Sequence, residues 1–340
     1  MITRTFRGGH FEIGAQIGEI YRKNGMKIND VPINQQLFKR QLRVYEKHYP
    51  DLLEELRGVA CGGNFNEQKT IYNFITSELR WFLSAPERSC TIFGVTNNNG
   101  AFVGRNYDWH PAAGKVFEVY KVINPGKNSF VALSDMGITD YSDSQPKNLF
   151  YFPEDAINDK GLFIGLTFAY GNGCSNGISS ADAIKLVAET CSDVDDAIST
   201  FKKVPLCCPK NFFVADKNGD MAVVEHTSKK FKVVYPENGV LIQTNHYVDA
   251  ELAKDDTVLA TRPDHNTFLR YYETLQNINR SKSGFNKSKI IDLLGNKSRI
   301  VCQNLPGLKT IWTLAMDIKR QKYKLYWNVT GNRKSKTLNV

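Results

Sequence analysis

The chain has 340 residues, 41% of them hydrophobic, which is enough for one large domain or two ordinary ones around a sizeable core. Its 44 basic and 35 acidic residues leave a formal charge of +9, dispersed except for an excess from Lys319 through Arg333, Lys334 and Lys336. With no recognition motif or aromatic-interleaved basic stripe, that charge argues against nucleic acid and leaves a field favourable to acidic substrates.

The N-terminus, MITRTFRGGHFEIGAQIG, lacks an apolar core of signal-peptide length, and no apolar run approaches the roughly 18 residues of a membrane span. Residues 10–84 read as helical, with Phe11, Gly14, Ala15 and Gly18 recurring at three-to-four spacing and a second helix starting at Pro50-Asp51. The glycines predict close helix contacts. Residues 68–83 form a third helix, which Pro86 ends.

The stretch 86–111, PERSCTIFGVTNNNGAFVGRNYDWHP, is where chemistry concentrates. From Cys90 the chain alternates as a strand, the Asn97-Asn98-Asn99-Gly100 run supplies a tight turn, and a return strand carries Arg105 and Asp108 back toward Cys90. A thiol, a guanidinium and a carboxylate then converge, as nucleophilic catalysis requires. If Cys90 became a new N-terminus, its own α-amine, with an ordinary pKa of roughly 8, could serve as the base.

Residues 116–124 and 129–135 alternate as strands joined by Pro125-Gly126, and an Asn158-Asp159-Lys160-Gly161 turn leads into GLFIGLTF, where Thr167 points away from Leu162 and Leu166. Residues 180–203 carry two amphipathic helices, the second capped by Asp193. Residues 211–247 read as a four-stranded meander, residues 262–276 as a helix, and 310–316 and 323–329 as closing strands. Strand groups punctuated by helices predict two antiparallel sheets with helices on their outer faces. Seven cysteines (61, 90, 174, 191, 207, 208 and 302) show no framework spacing, so no disulfide scaffold is expected and a reducing cytoplasm is. Cys207 and Cys208 have no partner pair at zinc spacing, and neither a metal nor a cofactor is called for. Among His110, His226, His246 and His265 nothing marks a partner for the thiol, and none is assigned a catalytic part.

The Ser-Cys-Thr-Ile start and the Gly-Arg-Asn-x-Asp-Trp end of the hairpin resemble the N-terminal nucleophile (Ntn) hydrolases with a cysteine nucleophile. The long leader before Cys90, with GGHFEIGAQIG and YPDLLEELRGVACG, is similar to the isopenicillin N acyltransferase family; choloylglycine hydrolases share the core but begin almost at their cysteine. The resemblance implies an α+β fold, a four-layer αββα sandwich over 90–340 with residues 1–89 as a helical pro-segment. It further implies that Cys90 cuts the chain at Ser89, although Ser89 stands where glycine is common, and that it then splits linear amides through a thioester, passing the acyl group to water or an amine.

In this reading Asp108 orients the amine and holds Arg105 in a bidentate fork, and Arg105 favours thiolate. Asn245, in Thr-Asn-His-Tyr, is the side-chain oxyanion donor and the Thr167 backbone N–H the second. Arg262 resembles the arginine that opens the helix after the meander, with Arg270 a second candidate. The partner is a small-molecule amide or acyl substrate, and a homo-oligomer is left open. Acid ceramidase relatives and N-acyl-ethanolamine amidases offer the same chemistry, and an inactive binding scaffold of the same fold is the alternative of a different class.

Overall fold

In the computed structural model, which describes residues 2–28, 31–81, 89–134, 152–171 and 173–340, the strands fall into two sheets. The N-terminal region supplies β1 (Ile2–Arg7) and the helices α1 (His10–Lys23), α2 (Gln35–His48), α3 (Pro50–Gly63) and α4 (Glu67–Trp81). Next come the hairpin β2 (Ser89–Asn97) and β3 (Gly100–Trp109), the short α5 (Ala113–Val116), then β4 (Glu118–Ile123), β5 (Phe130–Ser134), β6 (Pro153–Asn158) and β7 (Phe163–Phe168). The helices α6 (Ser180–Thr190) and α7 (Val194–Lys203) precede β8 (Lys210–Ala215), β9 (Met221–His226), β10 (Phe231–Val234) and β11 (Val240–Gln243). The chain closes with α8 (Val258–Thr261), α9 (Thr267–Ser281), α10 (Lys287–Leu294), β12 (Asn304–Leu305), β13 (Leu308–Asp317), β14 (Lys322–Trp327) and β15 (Lys334–Leu338).

One sheet has eight strands in the order β1-β4-β5-β6-β7-β8-β9-β10; the other has the order β11-β2-β3-β13-β14-β15, with β12 beside β13. Alternation along each strand gives two inner faces, which meet in a core that includes Ile92, Val103, Ile157, Phe163, Phe213 and Trp312. The outer face of the eight-stranded sheet buries Ile164, Leu166 and Phe212 against α1 to α4, α6 and α7. That of the second sheet buries Phe93, Val95 and Phe102 against Ile278 of α9 and Ile290 and Leu294 of α10. Helix, sheet, sheet, helix is the αββα order predicted from the strand grouping.

Three departures from the sequence reading are informative. The predicted four-stranded meander has only three strands in one sheet: after a turn at Asn238 (φ 50°) and Gly239 (φ 71°), β11 crosses over and pairs with β2, Gln243 opposite Ile92. The leader is not wholly helical, because β1 joins the eight-stranded sheet parallel to β4, Ile2 opposite Glu118. Cys174 and Cys208 are disulfide-bonded, where free thiols were expected. The expected ends of the third helix at residue 83 and at Pro86, and of a strand at Asp135, lie outside the described residues.

The glycine spacing in the leader does what it predicts. A Cβ on Gly14 would lie 1.9 Å from the Glu55 carbonyl oxygen and one on Gly58 2.0 Å from that of Phe11, so α1 and α3 meet backbone to backbone. Polar side chains then tie the leader to α6 and β8. Tyr45 Oη donates to Asp182 at 2.6 Å, Tyr49 Oη to Glu189 at 2.8 Å, and Lys185 pairs with Glu55. Glu78 accepts from the Ser180 N–H and hydroxyl at 2.7 Å each and faces Lys210 Nζ at 2.8 Å. Among the described residues no helix is long and apolar enough to cross a membrane.

Both Glu78 and Lys210 are almost fully buried, and a buried charge that loses its partner costs about 3–5 kcal/mol. Glu78→Ala is expected to lower the unfolding free energy by about that amount, read from urea unfolding. Replacing solvent-exposed Glu54, whose partner is the half-exposed Arg57, is expected to cost less than about 1 kcal/mol.

Candidate active site

Cys90 is the second residue of β2, which lies between β11 and β3. Alternation sends Cys90 and Ile92 to the inter-sheet face, together with Arg105 and Tyr107 of β3, which stand opposite Ile92 and Cys90. Ser89, Thr91, Asn106 and Asp108 share the face turned toward α9 and α10. The Cys90 side chain is buried, with Arg105, two residue pairs along the ladder, on the same face of the sheet. Burial pushes the thiol above its ordinary value; Arg105 opposes this, and the carboxylates of Glu154 and Asp108 reinforce it. Arg105 acts in the direction expected of it, toward thiolate, but in the continuous chain desolvation is the larger effect.

The fork expected between Asp108 and Arg105 is absent, and the pleat explains it. Residues three apart on a strand face opposite sides of the sheet. Arg105 instead directs Nε to both oxygens of Asp155, 2.7 Å each, on β6 of the opposing sheet. Its Nη1 and Nη2 donate to the carbonyls of Asn106 (2.5 Å) and Leu166 (3.3 Å), and its guanidinium lies over the rings of Tyr107 and Trp312. Asp108, directly opposite Ser89, accepts from Thr310 Oγ1 at 2.6 Å, while its Oδ2 is buried with no donor among the described residues. Burial raises the Asp108 carboxyl to about 6 against the pull of Arg270, Thr310 and Arg105.

Asn245 follows β11 by two residues, so its side chain continues the ladder that pairs Gln243 with Ile92. Its Oδ1 accepts the Cys90 backbone N–H at 2.7 Å, and its Nδ2 donates to the Phe168 carbonyl at 2.9 Å. The strand-end position expected from the sequence is thus spent on the peptide group of Cys90. Arg270, fully buried, donates from Nη2 to Asn245 Oδ1 at 2.8 Å and from Nη1 to the Cys90 carbonyl and to Thr91 Oγ1. Asn266 Oδ1 steadies its Nε at 2.8 Å.

Arg262 is elsewhere. It terminates α8, donates to the Thr261 carbonyl and lies over the Tyr170 ring. The helix expected from residue 262 begins only at Thr267, since Pro263 interrupts the run, and Arg270 takes the place at Cys90 that was expected of Arg262. Thr167 sits on β7 opposite Asn211, whose Nδ2 donates to its Oγ1 at 3.3 Å, one residue before the carbonyl that anchors Asn245. His246, next to Asn245, is engaged by Thr244 and Thr267, and burial lowers it to about 4.

Residues 95–332, a span that starts after Cys90 and takes in Arg105, Asp108, Asp155, Asn245 and Arg270, match the acyl-coenzyme A:6-aminopenicillanic acid acyl-transferase family. The chain belongs to this family. It is accordingly an enzyme of the amidohydrolase or acyltransferase kind. Among solved structures it is similar to penicillin V acylase from Agrobacterium tumefaciens, with 16% identity over 73% of this chain and 86% of that one and a TM-score of 0.51. A conjugated bile acid hydrolase from Clostridium perfringens (15% identity, 74% and 97% covered, TM-score 0.49) and the Caenorhabditis elegans ortholog of N-acylethanolamine-hydrolyzing acid amidase (16%, 68% and 93%, 0.49) also match. No curated sequence matches the chain.

In this acyl-transferase family member, sequence reasoning missed Asp155, Thr310 and Asn266. Thr267, Arg270 and Thr274 at three-to-four spacing are a buried polar stripe on α9, a signal that favours Arg270 over Arg262. Asp155 has no such local mark. Glu78, Cys207 and Cys208 bring ligand atoms within 4.8 Å of one another, but Lys210 already pairs Glu78 and Cys208 is bonded to Cys174, so that donor set does not suit a cation.

The raised Asp108 carboxyl has a thermodynamic signature. Its proton is held more tightly in the folded than in the unfolded chain, so Asp108 makes stability fall as pH climbs from about 4 to about 6. Asp108→Asn removes that slope. The stability difference between variant and wild type is expected to move toward the variant by on the order of 3 kcal/mol between pH 4 and pH 7, read from urea unfolding at both pH values; parallel curves would show that Asp108 titrates normally.

Proposed function

We propose that this chain is a cofactor-independent cysteine amide hydrolase or acyltransferase that matures by cutting itself before Cys90. The observation that carries the reading is the treatment of one peptide unit: the Cys90 N–H is held by Asn245 and its carbonyl by Arg270, its side chain shares a sheet face with Arg105, and the Ser89 position stands opposite Asp108, whose Oδ2 has no donor among the described residues. A buried cysteine that served only as core would need none of these.

In the cutting step the Cys90 sulfur attacks the Ser89 carbonyl carbon, the C–N bond breaks, and the nitrogen takes the thiol proton to become the α-amine. Water then hydrolyses the thioester and leaves a Ser89 carboxylate. In this reading Asp108 holds the new ammonium, and Asn245 Oδ1, which accepts the Cys90 N–H in the continuous chain, accepts from the same nitrogen. With the amine as base, Cys90 attacks a substrate amide, the amine half leaves with a proton, and the acyl group passes from sulfur to water or to a second amine. Of the two Nδ2 hydrogens of Asn245, one is used by Phe168; the other is available to the oxyanion, with the Thr167 backbone N–H as the second donor.

Intact mass of the purified, active protein is expected to show a fragment that begins at Cys90; full activity from uncut chain alone would remove the α-amine as base. Cys90→Ala is expected to abolish both cutting and turnover, whereas Cys90→Ser retains cutting, since a hydroxyl can make the same acyl shift. Asn245→Ala is expected to lower turnover of an amide substrate by on the order of a hundredfold with the fold unchanged by circular dichroism.

A further inference from the structure

The reading above uses Arg105 and leaves unexplained what holds a guanidinium, fully buried between two sheets, on the same face as the Cys90 thiol. Asp155 comes from the other sheet and is itself fully buried. Both its oxygens lie 2.7 Å from Arg105 Nε, and Trp312 Nε1 on β13 donates to Oδ2 at 2.8 Å. Space for the carboxylate comes from Gly165, its cross-strand neighbour on β7: a Cβ there would stand 2.5 Å from Asp155 Oδ1 and 3.1 Å from Ile92 Cδ1. The Trp312 ring that supplies the N–H stacks on Tyr107 at 4.0 Å, and Tyr107 is the residue opposite Cys90. Two strands of each sheet therefore fix one guanidinium.

We propose that Asp155 is a positioning residue for the thiol: it clamps Arg105 from across the sandwich at Nε, while the Asn106 and Leu166 carbonyls take Nη1 and Nη2, so that the guanidinium stays on the Cys90 face of the sheet, within electrostatic reach of the sulfur. This rests on Cys90 being the nucleophile. A neutraliser would need only to be near Arg105, whereas Asp155 is itself oriented by Trp312 and given room by Gly165. The charged groups around the thiol are Arg105, Glu154 and Asp108, and Arg105 faces Asp155 and Cys90. Removing a mere counter-anion from this set would ease ionisation of the thiol. Removing a clamp would hinder it, because the cation is no longer held in place.

The two roles differ in sign, so a thiolate titration separates them. Thiolate ultraviolet absorbance is followed against pH for wild type and Asp155→Asn, each with its own Cys90→Ala counterpart subtracted and each in the same cut or uncut state by mass. The clamp requires the Cys90 inflection to rise in Asp155→Asn, with about a tenfold loss of thiolate at a given pH on the acid side for each unit. Trp312→Phe keeps the ring stack and loses the indole N–H; it is expected to shift the inflection the same way by a smaller step. An inflection that falls shows a counter-charge alone, one that stays shows a fold-supporting pair, and either overturns the proposal. If Asp155→Asn does not fold, Trp312→Phe decides by the same sign. No substrate is used, so an uncut but active wild type sinks the self-cutting mechanism without touching this result.

Discussion

A full positive charge placed between two apolar sheets must be matched where it sits, and here Asp155 matches Arg105. Breaking such a pair leaves an uncompensated buried charge, whose cost is several kcal/mol. The pairing constrains both sheets at once. β3 must present Arg105 inward, β6 must present Asp155 at the same height, and the Asp155–Gly165 register of β6 with β7 must leave room for the carboxylate. Because β2 is bonded to β3, the same constraint decides that Cys90 faces the inter-sheet space while Ser89 and Asp108 face the helices.

The site is therefore divided by a sheet. On one side lie the thiol and Arg105; on the other Asp108 and Arg270 lie in a polar layer with Thr310, Thr91 and Asn266. The peptide unit of Cys90 lies in the plane between them, gripped at its edge by Asn245. That division separates the thiol from the Asp108 carboxylate. Arg105 belongs to Asp155, and Arg270 belongs to the backbone of Cys90 and to Asn245.

What the sequence made legible is what short-range rules control. The β2–β3 hairpin, the alternation that turns Thr167 away from Leu166, the α6–α7 pair and the glycine contact of α1 with α3 all follow from spacing and turn chemistry. The Arg105–Asp108 fork did not follow, although the pleat alone separates residues three apart, and the error was one of face rather than of proximity. Asp155 and β1 could not be read locally. Each acquires its partner from a strand far away in sequence, and nothing in an isolated stretch marks a carboxylate that will meet a cation from another sheet. The crossover of β11 was hidden for the same reason, since its alternation suits either sheet.

The parallel pairing of β1 with β4 has a consequence for how the molecule would behave in two pieces. Ile2 pairs with Glu118, so the leader's first strand and the core's sheet edge are hydrogen-bonded across the whole helical segment and the Ser89–Cys90 bond. While the chain is continuous, that edge closes within one molecule, and folding is a unimolecular event. Once the bond before Cys90 is gone, the same contacts become an association between two polypeptides. The unfolding midpoint then depends on protein concentration, and a denatured sample must find its missing strand by diffusion. A break that changes no contact of the folded state would thus turn an ordinary folding equilibrium into an assembly equilibrium.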